Sequence, residues 1–214
     1  MLERPIYLRQ LELGPMQNFI YLIGDPSTRE AAVVDPGWEV PAILHALAQD
    51  DYRLTKIFVT HSHFDHVMGI GELLSKIDLP VYANRAEIPT LQIEPSNLRG
   101  VDHGEIVEIG GVPIQLIHTP GHTPGSQCLL IDKELFSGDT LFIRACGRCD
   151  LPGGDPEAMY NSFDQTLKKL DDGTVLYPGH NYADEPTSTL GDEKKENPFF
   201  AAPRLQDFLS LTGH

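Results

Sequence analysis

Apolar positions open the chain in short, strand-length runs. Ile6 to Leu13 and Asn18 to Ile23 alternate or run apolar and are split by Gly14-Pro15, and Ala31-Ala32-Val33-Val34 ends at Asp35-Pro36-Gly37. This spacing predicts three strands in an antiparallel meander. The period then changes: Val40 to Leu47 has helical spacing, Ile57 to Thr60 reads as a buried strand, Val67 to Ile77 as a helix and Pro80-Val81-Tyr82 as a short strand. β-type patterning returns in Ile106 to Ile109, Val112 to Ile117, Gln127 to Ile131 and Leu135-Phe136-Ser137, with turns at Gly110-Gly111 and Asp132-Lys133. Asp155 to Leu170 predicts a capped helix, Thr174 to Tyr177 a strand, and Arg204 to Leu211 a closing helix. With no internal repeat, low-complexity tract or linker, the expectation is one layered α/β domain over residues 1–214.

Composition narrows the function classes. A chain of 214 residues with 41% hydrophobic and 22% charged residues can bury a substantial core. Its formal charge of -15, without a basic patch, argues against a nucleic-acid partner and against an acidic membrane surface. No apolar stretch approaches the roughly 20 residues of a membrane span, and Met1-Leu2-Glu3-Arg4-Pro5 does not read as a signal peptide, so a cytoplasmic location is expected. Cys128, Cys146 and Cys149 are an odd, sparse set that fits a reducing compartment. The C-x-x-C of Cys146 and Cys149 has no thioredoxin-like context and reads as two core or loop cysteines.

The chemistry concentrates in Thr60-His61-Ser62-His63-Phe64-Asp65-His66, just after the apolar run Ile57-Phe58-Val59. On an extended loop, His61 and His63 project the same way and can grip one ion; on a helix they would diverge. Asp65 and His66 fall where helical periodicity begins, so they can turn toward a second ion. Three later segments supply further candidates, each following a strand and each rich in turn residues. His122 lies in Thr119-Pro120-Gly121-His122-Thr123-Pro124-Gly125, Asp139 in Gly138-Asp139-Thr140, and His180 in Tyr177-Pro178-Gly179-His180. The expected arrangement has His61, His63 and His122 on one metal and Asp65, His66 and His180 on the other. Asp139 is shared, and a bridging hydroxide has room between the two. Nitrogen and carboxylate donors without thiolate favour two divalent ions of zinc, manganese or iron in a catalytic site. His118 reads as a structural or outer partner, and His45, His103 and His214 as surface or packing residues.

With those seven positions in place, the chain resembles the metallo-β-lactamase superfamily over nearly its whole length. That resemblance implies a four-layer αββα sandwich with the metals at one edge of the two sheets. Within the superfamily, Val34-Asp35-Pro36-Gly37, Thr119 to Gly125, Gly138-Asp139-Thr140-Leu141-Phe142, Cys146-Gly147-Arg148 and Pro178-Gly179-His180-Asn181-Tyr182 resemble the glyoxalase II branch, the hydroxyacylglutathione hydrolases. That branch cleaves glutathione thioesters such as S-lactoylglutathione. The resemblance implies substrate contacts from Arg148 and Tyr182, and the net charge calls for Arg144 beside Arg148 as a local positive pocket for an anionic conjugate.

Only 34 residues follow His180, too few for the additional helical domain of long glyoxalase II enzymes. Arg148 to Asp155, Ser188 to Glu193 and Asn197-Pro198 instead resemble short, single-domain glyoxalase II-like proteins and the related persulfide dioxygenases, which use one iron. Phe64 and Gly37 resemble the hydrolases, whereas Ile143 to Arg148 resembles the dioxygenases. The reading is therefore a dinuclear thioester hydrolase acting on a small glutathione-derived or other thioester. Catalysis would use Asp65, His61, His63 and Asp139. A single-iron persulfide dioxygenase is the alternative, and a β-lactamase a more distant one. Sequence leaves the oligomeric state open.

Overall fold

The computed structural model describes residues 5–213, so His214 lies outside the described residues. β1 (Tyr7–Leu13), β2 (Asn18–Asp25) and β3 (Glu30–Val34) form the expected antiparallel meander. α1 (Val40–Gln49) then returns the chain to β4 (Arg53–Phe58), parallel to β3. α2 (Phe64–Val67) and α3 (Ile70–Lys76) lead to β5 (Val81–Asn84), and β6 (Leu98–Val101) completes a six-stranded sheet in the order β1-β2-β3-β4-β5-β6.

A second six-stranded sheet begins with the antiparallel strands β7 (Ile106–Ile109), β8 (Val112–His118), β9 (Gln127–Ile131) and β10 (Glu134–Gly138). A small hairpin, β11 (Leu141–Phe142) with β12 (Ala145–Cys146), and α4 (Pro156–Gln165) precede β13 (Val175–Pro178), which joins β10 in parallel. β14 (Ser188–Thr189), α5 (Leu190–Glu196) and α6 (Leu205–Thr212) follow, giving the order β14-β13-β10-β9-β8-β7.

Alternation along β2 explains the layering, because successive side chains in a strand point to opposite faces. Ile20 and Leu22 pack outward with Ile43 and Leu47 of α1 and Leu73 of α3. Phe19, Tyr21 and Ile23 face inward and meet Ile114, Leu129 and Phe136 of the second sheet. On the far side of that sheet, Ile117, Leu135 and Leu176 pack with Met159 and Phe163 of α4 and Phe208 of α6. The result is helices, sheet, sheet, helices: the αββα sandwich.

Differences from the sequence expectation are local. The single helix expected over Val67 to Ile77 is divided, with α2 ending at Val67 and α3 starting at Ile70. The break contains Gly69, whose backbone comes so close to the Pro36 carbonyl that a Cβ there would clash with the oxygen. The helix expected over Asp155 to Leu170 stops at Gln165 and continues as a 3-10 turn, Leu167–Lys169. Its start is as expected: Asp155 accepts from the Ala158 amide at 3.0 Å, and Pro156 occupies the first turn, where no N–H is needed. β6, β11, β12, β14 and α5 are additional elements, most of them too short to leave a periodic signal.

At one edge the sheets are joined backbone to backbone. The Phe19 amide donates to the Gly179 carbonyl at 2.9 Å, Asn181 to Gln17 at 2.8 Å, and Gln127 to Thr60 at 2.9 Å. The loops after β3, β4, β8, β10 and β13 all converge there.

Candidate metal centre

Each candidate ligand leaves the carboxyl end of a strand at this edge. β4 delivers His61 and His63, and the first turn of α2 carries Asp65 and His66, both buried. The loop after β8 carries His122, Asp139 directly follows β10, and His180 lies two residues beyond β13. Three overlapping groups form, His61 with His63 and His122, Asp65 with His66 and His180, and Asp35 with His61 and His66, each with donor atoms within 4.8 Å of one another. In the first, His122 Nε2 is 2.9 Å from His63 Nδ1. In the second, His66 Nε2 is 3.2 Å from His180 Nε2, and Asp65 Oδ2 is 3.4 Å from both. Asp139 lies between the groups: Oδ1 is 3.4 Å from His66 Nε2, while Oδ2 is 3.6 Å from His122 Nε2 and 3.4 Å from His180 Nε2.

The outer hydrogen bonds set which ring nitrogen faces inward. His122 Nδ1 donates to the Arg148 carbonyl at 2.7 Å, and His180 Nδ1 to the Met16 carbonyl at 2.9 Å, leaving each Nε2 with its lone pair toward the centre. Asp35 does the same through two routes. Its Oδ2 accepts from His66 Nδ1 at 3.0 Å and from the Thr60 hydroxyl at 2.6 Å. That hydroxyl, its proton committed to Asp35, accepts from His61 Nδ1 at 3.1 Å. Asn18 Nδ2 donates to Asp65 Oδ2 at 2.9 Å, and Trp38 Nε1 donates to Asn18 Oδ1 at 2.8 Å.

These arrangements fit a cation. His61 Nε2 and Asp139 Oδ1 are buried without a hydrogen-bond partner among the described residues, and a buried polar atom without a partner costs about 1–3 kcal/mol. The lone pairs of His66 and His180 point at each other across 3.2 Å, which is repulsive unless a proton or metal lies between them. Electrostatics agrees. Burial holds His61 and His63 neutral, their pKa values lowered further by neighbouring imidazoles. Burial opposes a charge on His66 too, but Asp139, Asp35 and Asp65 override it and push its pKa well above the usual histidine value. Burial works against the Asp65 carboxylate, yet His66 and Asn18 pull its pKa down to about 2; Asp139, flanked by His66 and His180, is held below the usual carboxylate range.

Sequence reading missed the supports. Asp35 stood in view only as part of the turn Asp35-Pro36-Gly37, and Asn18 as a strand residue. Glu87, buried after β5, carries no pattern of its own, yet it accepts from the Ser62 amide, the Thr123 hydroxyl and the Gly125 amide. His118, expected to be structural, bonds the Pro124 carbonyl at 2.9 Å and braces the His122 loop. His45 and His103 are exposed, as expected of surface residues.

Beside the ligands lies a cavity of about 570 Å³ lined by His63, Asp65, His122, Asp139 and His180 and, on its walls, by aromatic and aliphatic side chains. Tyr182 stacks on the His180 ring, centroids 4.6 Å apart at 9°. Arg148 lines the cavity with its guanidinium paired to Asp150 at 2.7 Å. Arg144 is not brought to the cavity wall; it sits in the turn of the β11–β12 hairpin at φ 56°, where its guanidinium pairs with Glu196. Cys146 also lines the cavity. Burial pushes its thiol up, as it does Cys149 to about 12 and Cys128 to about 11, so none of the three is a thiolate at neutral pH.

The chain matches the metallo-beta-lactamase superfamily over residues 13–180. It is 33% identical over 194 residues to the probable polyketide biosynthesis zinc-dependent hydrolase PksB of Bacillus subtilis (strain 168), covering 91% of this chain and 86% of that protein. It is 30% identical over 219 residues to the mitochondrial persulfide dioxygenase ETHE1 of Homo sapiens, covering 98% and 82%. The crystal structure of ETHE1 from Myxococcus xanthus superposes with a TM-score of 0.89 at 32% identity, covering 97% of this chain and 90% of that one.

Proposed function

The chain belongs to the metallo-beta-lactamase superfamily, and within it we propose a thioester hydrolase that works with two divalent metal ions. His61, His63 and His122 would hold one ion, Asp65, His66 and His180 the other, and Asp139 both. The observation that carries this reading is Asp139, whose Oδ2 lies 3.6 Å from His122 Nε2 in one histidine group and 3.4 Å from His180 Nε2 in the other. Zinc suits a nitrogen and carboxylate donor set without thiolate, and a relative named as a zinc-dependent hydrolase supports it.

When bound, divalent cations supply Lewis acidity and lower the pKa of water from 15.7 to about 7, making hydroxide available near neutral pH. The chain's own residues do the rest. Asp65 is fixed by Asn18 with Oδ2 facing the centre, so it can orient the attacking water. The water oxygen forms the new bond to the acyl carbon, the carbon–sulfur bond breaks with its electron pair on sulfur, and a carboxylate, a thiol and one proton result. A leaving thiol with a pKa of about 8.5 departs without a strong general acid. No cysteine nucleophile is needed, consistent with the raised thiol pKa values.

The second reading, a persulfide dioxygenase with one iron, is favoured by the match to ETHE1. Elemental analysis of the purified protein, run beside S-lactoylglutathione hydrolysis and oxygen uptake with glutathione persulfide, decides between them. Two metals per chain with thioester cleavage is the expected result; one iron with oxygen uptake overturns it.

A further inference from the structure

The cavity wall identifies which part of a thioester the site selects. Met16, Phe64, Phe142, Leu151, Pro152 and Tyr182 line it. Phe64 and Tyr182 are 57% and 59% exposed, large apolar surface left open at the mouth of a buried polar centre. Phe64 also borders a second hollow of about 380 Å³ with Met68, Leu91 and Ile93, so apolar surface continues beyond the first cavity. Positive charge is scarce there. The Arg148 guanidinium is neutralised by Asp150, Arg144 is engaged by Glu196, and the chain carries a formal charge of -15. Such a wall offers a carboxylate only an arginine already paired with an acid, and covers hydrocarbon well.

From this we infer that the site favours thioesters with a longer, uncharged, apolar acyl arm, laid against Phe64, Phe142 and Tyr182, over those with a two- or three-carbon hydroxyacyl group. The apolar part must be the acyl arm, because biological carrier thiols are amide-rich and polar along their length and are better left toward solvent. This inference rests on the thioester reading for its substrate, and on the wall alone for its selectivity.

The test uses the full chain loaded with zinc and a series of N-acetylcysteamine thioesters. From acetyl to hexanoyl, kcat/KM should rise about two- to fourfold per methylene, as expected for hydrocarbon partly or fully withdrawn from water. Adipoyl, as long as hexanoyl but ending in a carboxylate, should be at least about tenfold poorer. Phe64→Ala, at an exposed position where loss of the ring leaves the core intact, should reduce the hexanoyl-to-acetyl ratio. A flat chain-length series, or adipoyl equal to hexanoyl, overturns the inference. Binding keeps the two readings separate. S-hexyl N-acetylcysteamine should bind the protein more tightly than the S-ethyl compound by the same factor per methylene, whether or not any thioester is cleaved. Equal binding overturns the apolar wall, whereas tight binding without thioester cleavage overturns the hydrolase and leaves the selectivity standing.

Discussion

The Glu87 carboxylate accepts a hydrogen bond from the backbone amide of Ser62 at 2.7 Å, between His61 and His63. Its other oxygen accepts from the Thr123 hydroxyl at 3.0 Å and the Gly125 amide at 2.9 Å, on the loop that carries His122. One buried acid thus sets the spacing of two loops that contribute ligands to the same group. Glu87→Gln keeps one oxygen but turns an NH2 toward N–H or O–H donors, so one arm of the clamp fails. Affinity for zinc at the His61, His63 and His122 group should fall about 10–100-fold, read by competition with a chromophoric chelator, with stability lowered by about 1–3 kcal/mol.

Asp139→Ala tests the shared carboxylate. Metal content should drop below that of the wild-type chain, with at least the ~10–100-fold affinity loss that follows removal of an outer partner. Thioester turnover should fall with it, while far-ultraviolet circular dichroism stays unchanged. Full metal content in this variant would take Asp139 out of the centre.

Thiol chemistry should follow burial. With pKa values pushed to about 11 for Cys128 and about 12 for Cys149, and Cys146 higher still, the folded chain should react slowly with an aromatic disulfide reagent at pH 8, and all three thiols should react after denaturation. The sign for stability follows from linkage. Folded pKa values lie above the unfolded one, so the contribution is full below about pH 8.5 and is withdrawn as pH rises toward 11–12. Chemical denaturation midpoints at pH 8 and pH 10.5 read this loss.

Phe136 is fully buried between the sheets, its ring 4.9 Å from that of Tyr21 and 5.1 Å from that of Tyr177. Phe136→Ala should cost about 3–5 kcal/mol, measured by urea unfolding of metal-loaded protein.

The centre was more legible in the sequence than its supports. The gathering of His61, His63, Asp65 and His66 with His122, Asp139 and His180, each placed just beyond a strand, could be read directly because such side chains leave dense, polar signals in turn-rich loops. Glu87 could not, since a lone acid in Ala86-Glu87-Ile88 gives no hint of three donors arriving from loops 25 to 38 residues away. Arg144 shows a related failure. A net charge of -15 calls for a cationic pocket, but charge counts carry no direction, and Glu196 claims that guanidinium from a helix the sequence pattern had not separated from its surroundings. The division between α2 and α3 was also hidden, because the approach of Gly69 to Pro36 is a tertiary contact laid over an unbroken helical period.

The backbone bonds that join the two sheets, from Phe19 to Gly179, Asn181 to Gln17 and Gln127 to Thr60, all lie at the end where the candidate ligands gather. That seam would make cation loading a form of mechanical coupling. His61 and His63 ride on one sheet, His122, Asp139 and His180 on the other, and ions held jointly by both would rivet the halves in register. Stripping them should therefore loosen the junction before it loosens the interior, with amide protons of Phe19, Gln127 and Asn181 exchanging sooner than those of central β2.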